Sequence, residues 1–158
     1  SVIELYQYRK KLESDIQQKD EYISELMKSA LEVLATAIEF RDSESGEHVQ
    51  RICAYTRCLM KKVSEMYEEY YLSEDIIDMI ATAAILHDVG KIAIPDNILN
   101  KPGRLEVDEY EIIKQHASKG CEILERIPNS MDKELYIYAY DICRHHHERW
   151  DGGCKGLP

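Results

Sequence analysis

From Val2 to Phe40 the chain runs without a glycine or proline and keeps a seven-residue period. One seam position holds Val2, Arg9, Ile16, Ile23, Ala30 and Ala37, and the other holds Leu5, Leu12, Lys19, Leu26, Val33 and Phe40. Only Arg9 and Lys19 interrupt an apolar stripe whose spacing is that of a helix laid against another helix. The simplest reading is one long helix. Residues 1–28, polar outside the seam, suit a coiled-coil signalling helix in a parallel homodimer, linking to a domain further toward the N-terminus. The plainer alternative is a helix packed on its own domain. From Ala30 onward the helix is apolar enough to be expected to join a globular core.

The rest of the chain also reads as helices. Gly46 separates the long helix from a second that reaches about Tyr70 with Val49, Ile52, Cys53, Thr56, Leu59, Met60, Val63 and Tyr67 on one face. Ser73, followed by Glu74 and Asp75, is a helix start with acids in its first turn. Pro95 and the Pro102-Gly103 pair mark a loop. Asp108 to Gln115 reads as a helix delivering His116 at its end, Ser118-Lys119-Gly120 as punctuation, and Cys121 to Ile127 as another short helix closed by Pro128-Asn129. A last helix starts near Met131 and carries Leu135, Tyr138, Ala139, Ile142 and His146 on one face. With no strand candidate better than its helical alternative, the expected fold is all-α.

Composition narrows the function. At 158 residues, 44% hydrophobic and 32% charged, the chain supports one well-buried core. No apolar run is long enough for a membrane span and the N-terminus lacks a signal-peptide layout, so a cytoplasmic location is expected. The five cysteines, at 53, 58, 121, 143 and 154, are odd in number and include no Cys-x-x-Cys pair, so reduced thiols are expected. A formal charge of −10 repels DNA and RNA backbones at long range. A small phosphate ligand would need local positive charge, from metal ions and a few basic residues.

The run Ile80-Ala81-Thr82-Ala83-Ala84-Ile85-Leu86 reads as buried helix and ends in His87 and Asp88. Burying an imidazole beside a carboxylate costs on the order of several kcal/mol unless a partner satisfies both. A metal ion takes a neutral His and an ionised Asp together; for one isolated pair, a His-Asp hydrogen bond closing the helix is the plainer account. The other histidines tip the balance. Of six in the chain, five sit at or near helix ends or beside a carboxylate: His48 with Glu44 four residues before it, His87 with Asp88, His116, and His146 with His147. Together they supply nitrogen and oxygen donors for two metal ions, with Asp88 suited to bridging, and the absence of thiolates argues against structural zinc. Two such ions are a standard device for phosphodiester hydrolysis. Lys91, one turn past His87 if the helix continues, is placed to donate to a phosphate or departing oxygen.

His87-Asp88-Val89-Gly90-Lys91 resembles the signature of the HD superfamily of metal-dependent phosphohydrolases. Arg41-Asp42-x-Glu44-x-Gly46-x-His48-x-x-Arg51, Leu86-His87-Asp88-x-Gly90-Lys91-Ile92-x-Ile94-Pro95-Asp96, Leu99-x-Lys101-Pro102-Gly103-x-Leu105, His116-x-x-x-Gly120 and His146-His147-Glu148-Arg149-Trp150-Asp151-Gly152 narrow it to the HD-GYP subfamily over residues 35 to 152. The resemblance implies an HD-type helical bundle over 29–158 that hydrolyses cyclic di-GMP in bacterial second-messenger signalling, commonly with iron or manganese and with zinc, nickel or magnesium as alternatives. It implies metal ligation by His48, His87, Asp88, His116, His146 and His147, with Glu44 as the extra ligand of three-metal members, and Lys91 near metals and phosphate. It also implies that the N-terminal helix joins a receiver or sensor domain in a response regulator.

Two departures accompany the resemblance. Where the subfamily carries Gly-Tyr-Pro, this chain reads Gly152-Gly153-Cys154-Lys155-Gly156-Leu157-Pro158, and it stops where the family continues into helices bearing a last aspartate ligand. A domain truncated at its C-terminus is therefore expected. The alternative function is a catalytically degenerate HD domain that binds nucleotide or a protein partner.

Overall fold

The structure, a computed structural model, describes residues 1–42, 47–126, 132–149 and 151–152. Among them there are helices and no strands, as the sequence periodicity predicts. Helix α1 (Val2–Arg41) is followed by α2 (Glu47–Met66), α3 (Glu74–Ala84), α4 (Asp96–Leu99), α5 (Val107–Lys114), α6 (His116–Leu124) and α7 (Lys133–His145), with short 3-10 turns at Glu68–Tyr70 and Val89–Ala93. Gly46, Pro128, Asn129 and Met131, which the sequence uses as helix boundaries, lie outside the described residues.

Local chemistry sets the visible boundaries. The Ser73 hydroxyl accepts from the Ile76 amide at 3.3 Å and caps α3, with Glu74 and Asp75 beside its free amides. Asp132 caps α7 through the amides of Glu134 and Leu135, at 2.8 and 3.1 Å. The core forms where α3 packs on α2 and α7, and where α6 packs on α7 and on the Val89–Ala93 turn. Its centre holds Leu86, Leu124, Ala83, Ala139 and Cys143, all buried. The face expected for α2 turns inward at Val49 and partly at Ile52, Cys53, Thr56, Met60 and Val63, whereas Leu59 and Tyr67 are exposed.

One expectation is corrected. Gly120 does not punctuate: it lies inside α6, which begins at His116, so His116 opens one helix rather than closing another. The reason is tertiary. A Cβ on Gly90 would sit 1.8 Å from the His116 carbonyl oxygen and 2.4 Å from the Gly120 nitrogen, and a Cβ on Gly120 would meet the Cys143 sulfur at 2.3 Å. Only paired glycines let α6, α7 and the Val89–Ala93 turn come this close.

Helix α1 joins the core after Ala30, as expected, but not through its heptad seam. The core takes the opposite face, Leu31, Ala35, Ile38 and Glu39, while Val33 and Phe40 remain 70% and 68% exposed. A 3.6-residue helix offers both faces at once, and the domain packs on only one of them.

Candidate metal centre

Helix α3 ends at Ala84, and the chain tightens into bonds spanning three residues: His87 N–H to Ala84 O at 3.3 Å, Val89 N–H to Leu86 O at 3.1 Å, and Lys91 N–H to Asp88 O at 2.9 Å. Three residues per turn eclipse side chains at i and i+3. Lys91 accordingly stands over Asp88, its Nζ 2.9 Å from Oδ2, and not one α-helical turn above His87. The tightening also turns His87 and Asp88 together toward the ends of α6 and α7.

Three imidazoles share one device. Nδ1 of His87, His116 and His146 faces the carbonyl oxygen three residues earlier, of Ala84, Ile113 and Cys143, at 2.9, 2.6 and 3.0 Å. A carbonyl only accepts, so each Nδ1 carries a hydrogen, and in its neutral form a ring held this way presents a bare Nε2 to the centre. There, His116 Nε2 lies 3.1 Å from both His146 Nε2 and His147 Nε2. Burial first, then the neighbouring imidazoles, pushes the His147 ring toward its neutral form.

Asp88 occupies the middle. Oδ1 is 3.2 Å from His116 Nε2 and 3.4 Å from His146 Nε2; Oδ2 is 3.2 Å from His87 Nε2. Burial raises the tendency of this carboxyl to protonate, but the surrounding imidazoles outweigh it and hold Asp88 far below the usual carboxylate range. Close as these nitrogens are, their alignment leaves Oδ1 buried without a hydrogen bond. An electron-rich set of three Nε2 atoms and an orphaned carboxylate oxygen, all within 4.8 Å of one another for Asp88, His116, His146 and His147, fits a divalent cation. His87 faces the other oxygen of Asp88. The rings of His87 and His146 pack edge-on at 5.2 Å, and His48 stands beyond His87 with ring centroids 6.1 Å apart. His48 thus lies at the margin, while His145, which no ligand set includes, points away to Glu148 at 2.5 Å. Glu44 lies outside the described residues.

The C-terminal turn of α1 supplies groups that the sequence reading leaves without a role. Asp42 pairs with Lys91 Nζ through Oδ2. Against the lowering effect of burial, the two acids Asp42 and Asp88 raise the Lys91 ammonium well above its ordinary value. Arg41 donates to the carbonyls of Lys91 and Ile94, at 2.8 and 2.5 Å, and to Asp96 Oδ1 at 2.8 Å. Glu39 is buried, accepts from the Val49 amide at 3.2 Å and places Oε1 3.9 Å from His48 Nε2. In the sequence, Arg41 and Asp42 enter as the first residues of a motif that resembles the HD-GYP subfamily, with no role attached. The partners of Arg41 and Asp42 lie some fifty residues away and carry no local periodicity.

Fold and centre together define an all-helical domain in which a helix-terminal His-Asp pair is enclosed by imidazoles. The HD domain model matches residues 46–156, and the chain belongs to the HD domain family. It is 42% identical over 128 residues to a cyclic di-GMP phosphodiesterase of Thermotoga maritima, covering 81% of this chain and 31% of that protein. It is 41% identical over 136 residues to the 3'3'-cGAMP-specific phosphodiesterase 2 of Vibrio cholerae, covering 86% and 24%. The cyclic di-GMP phosphodiesterase response regulator RpfG of Xanthomonas campestris is 38% identical over 137 residues, covering 86% and 32%. The chain thus spans about a quarter to a third of these curated relatives. No helix among the described residues is long and apolar enough to cross a membrane.

Proposed function

We propose that this chain is the hydrolytic domain of a metal-dependent cyclic-dinucleotide phosphodiesterase in bacterial signalling, with cyclic di-GMP as the expected substrate. The observation that carries the reading is the convergence on Asp88: both carboxylate oxygens face imidazoles, and Oδ1 is buried without a hydrogen bond. Similarity to phosphodiesterases of two cyclic dinucleotides supports the substrate class. In this reading His87, Asp88, His116, His146 and His147 hold two divalent ions, with His48 and Glu44 completing a second or third position. Iron or manganese is the expectation carried by the family resemblance; the imidazole and carboxylate donors suit either, and zinc as well.

Divalent ions held there supply a nucleophile at neutral pH and neutralise phosphoryl charge. The protein's own part is positional. The backbone carbonyls of Ala84, Ile113 and Cys143 orient three rings through Nδ1, so that Nε2 is the nitrogen each would offer to a metal. Lys91, kept as an ammonium by Asp42 and Asp88, donates to a phosphate oxygen at the rim of the site. Residues 1–28 act as the stalk of a parallel homodimer that links the domain to a receiver or sensor in the cytoplasm.

Metal analysis with a cyclic di-GMP and 3'3'-cGAMP turnover assay tests the reading. Bound metal with release of linear product is expected. His87→Ala and Asp88→Ala are expected to lose metal while keeping the helical circular-dichroism spectrum; unchanged metal content would sink the ligand assignment. The absence of the Gly-Tyr-Pro triplet from the sequence Gly152 to Pro158 favours a second reading, a degenerate domain binding nucleotide or protein. Metal and nucleotide binding without turnover would establish that reading instead.

A further inference from the structure

Helix α1 serves two masters along its last third. Leu31, Ala35 and Ile38 are buried in the domain, and the seam positions Val33, Ala37 and Phe40 lie on the opposite face, exposed. The seven-residue period crosses from the stalk into this segment without an inserted or deleted residue, so the exposed face of residues 30–40 is in phase with Val2, Leu5, Leu12, Ile16, Ile23 and Leu26. Apolar side chains at every seam position but Arg9 and Lys19 along a 40-residue helix, about 60 Å long, are not scattered surface residues. A seam of this period fits an equal helix of the same length, and the chain itself supplies one.

We propose that the dimer seam runs the full length of α1, so that a second copy of this chain packs in parallel against Val33, Ala37 and Phe40 within the region that otherwise belongs to the HD domain. The proposal rests on the stalk reading of residues 1–28 and extends it to the edge of the metal centre. Phe40 precedes Arg41 and Asp42, the residues that hold the Val89–Ala93 turn and Lys91. A change of register or rotation in the coiled coil would therefore reach Lys91 through one helical turn.

Disulfide cross-linking of the whole chain tests this independently of metal or turnover. Leu12→Cys, Val33→Cys, Phe40→Cys and, as an exposed control on α2, Tyr55→Cys are oxidised with copper phenanthroline and compared with the unsubstituted chain on non-reducing gels. Cross-linking at positions 12, 33 and 40 but not 55 is expected, because equal positions meet in a parallel seam. Val33→Asp combined with Phe40→Asp, both on exposed positions, is expected to shift the sedimenting species from dimer to monomer. Cross-linking at position 12 alone would overturn the extension and leave the stalk standing. Absence at all three would overturn both, and equal cross-linking at position 55 would mark random collision and overturn the extension as well.

Discussion

At the scale of single residues, Lys91 shows how one side chain is given a task. Its ammonium lies between Asp42 and Asp88, and the burial that would favour deprotonation loses to the two carboxylates. Asp42→Asn removes one anchor without touching Asp88. Turnover is expected to fall on the order of tenfold with KM and metal content little changed, because a donor held by one partner samples misplaced positions. Asp42→Glu is expected to restore part of the loss. Acylation of Lys91 by an amine-reactive reagent should also quicken in Asp42→Asn, and an unchanged labelling rate with unchanged kcat would remove Asp42 from the site. The thiols offer a separate check. Burial pushes Cys143 up to about 12, whereas Cys58 is exposed. A thiol whose folded value lies above its unfolded one stays protonated in the native state, and stability is lost as pH rises between the two values. Iodoacetamide at pH 8 is therefore expected to label Cys58 and spare Cys143, as read by peptide mapping; comparable labelling of both would contradict the packing of α7.

At the scale of elements, the site depends on the close crossing of α6 and the 3-10 turn through Gly90 and Gly120. Gly90→Ala drives a methyl group into the His116 carbonyl and the α6 backbone, neither of which can swing aside. A loss of about 3 kcal/mol is expected, read as a lower urea midpoint, since overpacking against backbone sits at the severe end of such substitutions. A midpoint within error of the unsubstituted chain would show that the two elements are not so closely apposed. This crossing also explains what the sequence hid. Gly120 between Lys119 and Cys121 has the look of a helix stop, because a glycine lowers helix propensity wherever it falls. That it is tolerated inside α6 follows from Gly90, thirty residues away. The end of α3 shows the same limit: the apolar run to Leu86 continues past Ala84, and only packing against α6 and α7 tightens it into the geometry that places Lys91 over Asp88. Ser73, by contrast, was legible, because a cap needs nothing beyond its own first turn.

At the scale of the whole molecule, the centre joins α3, α6 and α7 around imidazoles and a carboxylate close enough together to hold a metal ion. Metal bound only by the folded chain raises stability by mass action. Chelation with EDTA is expected to lower the melting temperature by several degrees, about the effect of 1–3 kcal/mol in a domain of this size. Asp88→Ala should abolish that difference. A melting temperature indifferent to chelator would mean that the histidines close the core as a hydrogen-bonded cluster and hold no metal.

Periodicity determined the all-helical class and the long N-terminal helix, and local donor chemistry with the family motifs marked the histidines and aspartate, since helical spacing and motifs are properties of neighbouring residues. Tertiary structure decided which of those donors meet. It also decided which nitrogen each ring presents, which face of α1 is buried, and that Arg41 and Asp42 hold the turn bearing Lys91. Each of these depends on backbone carbonyls and side chains brought together from distant parts of the chain, where no sequence period can reach.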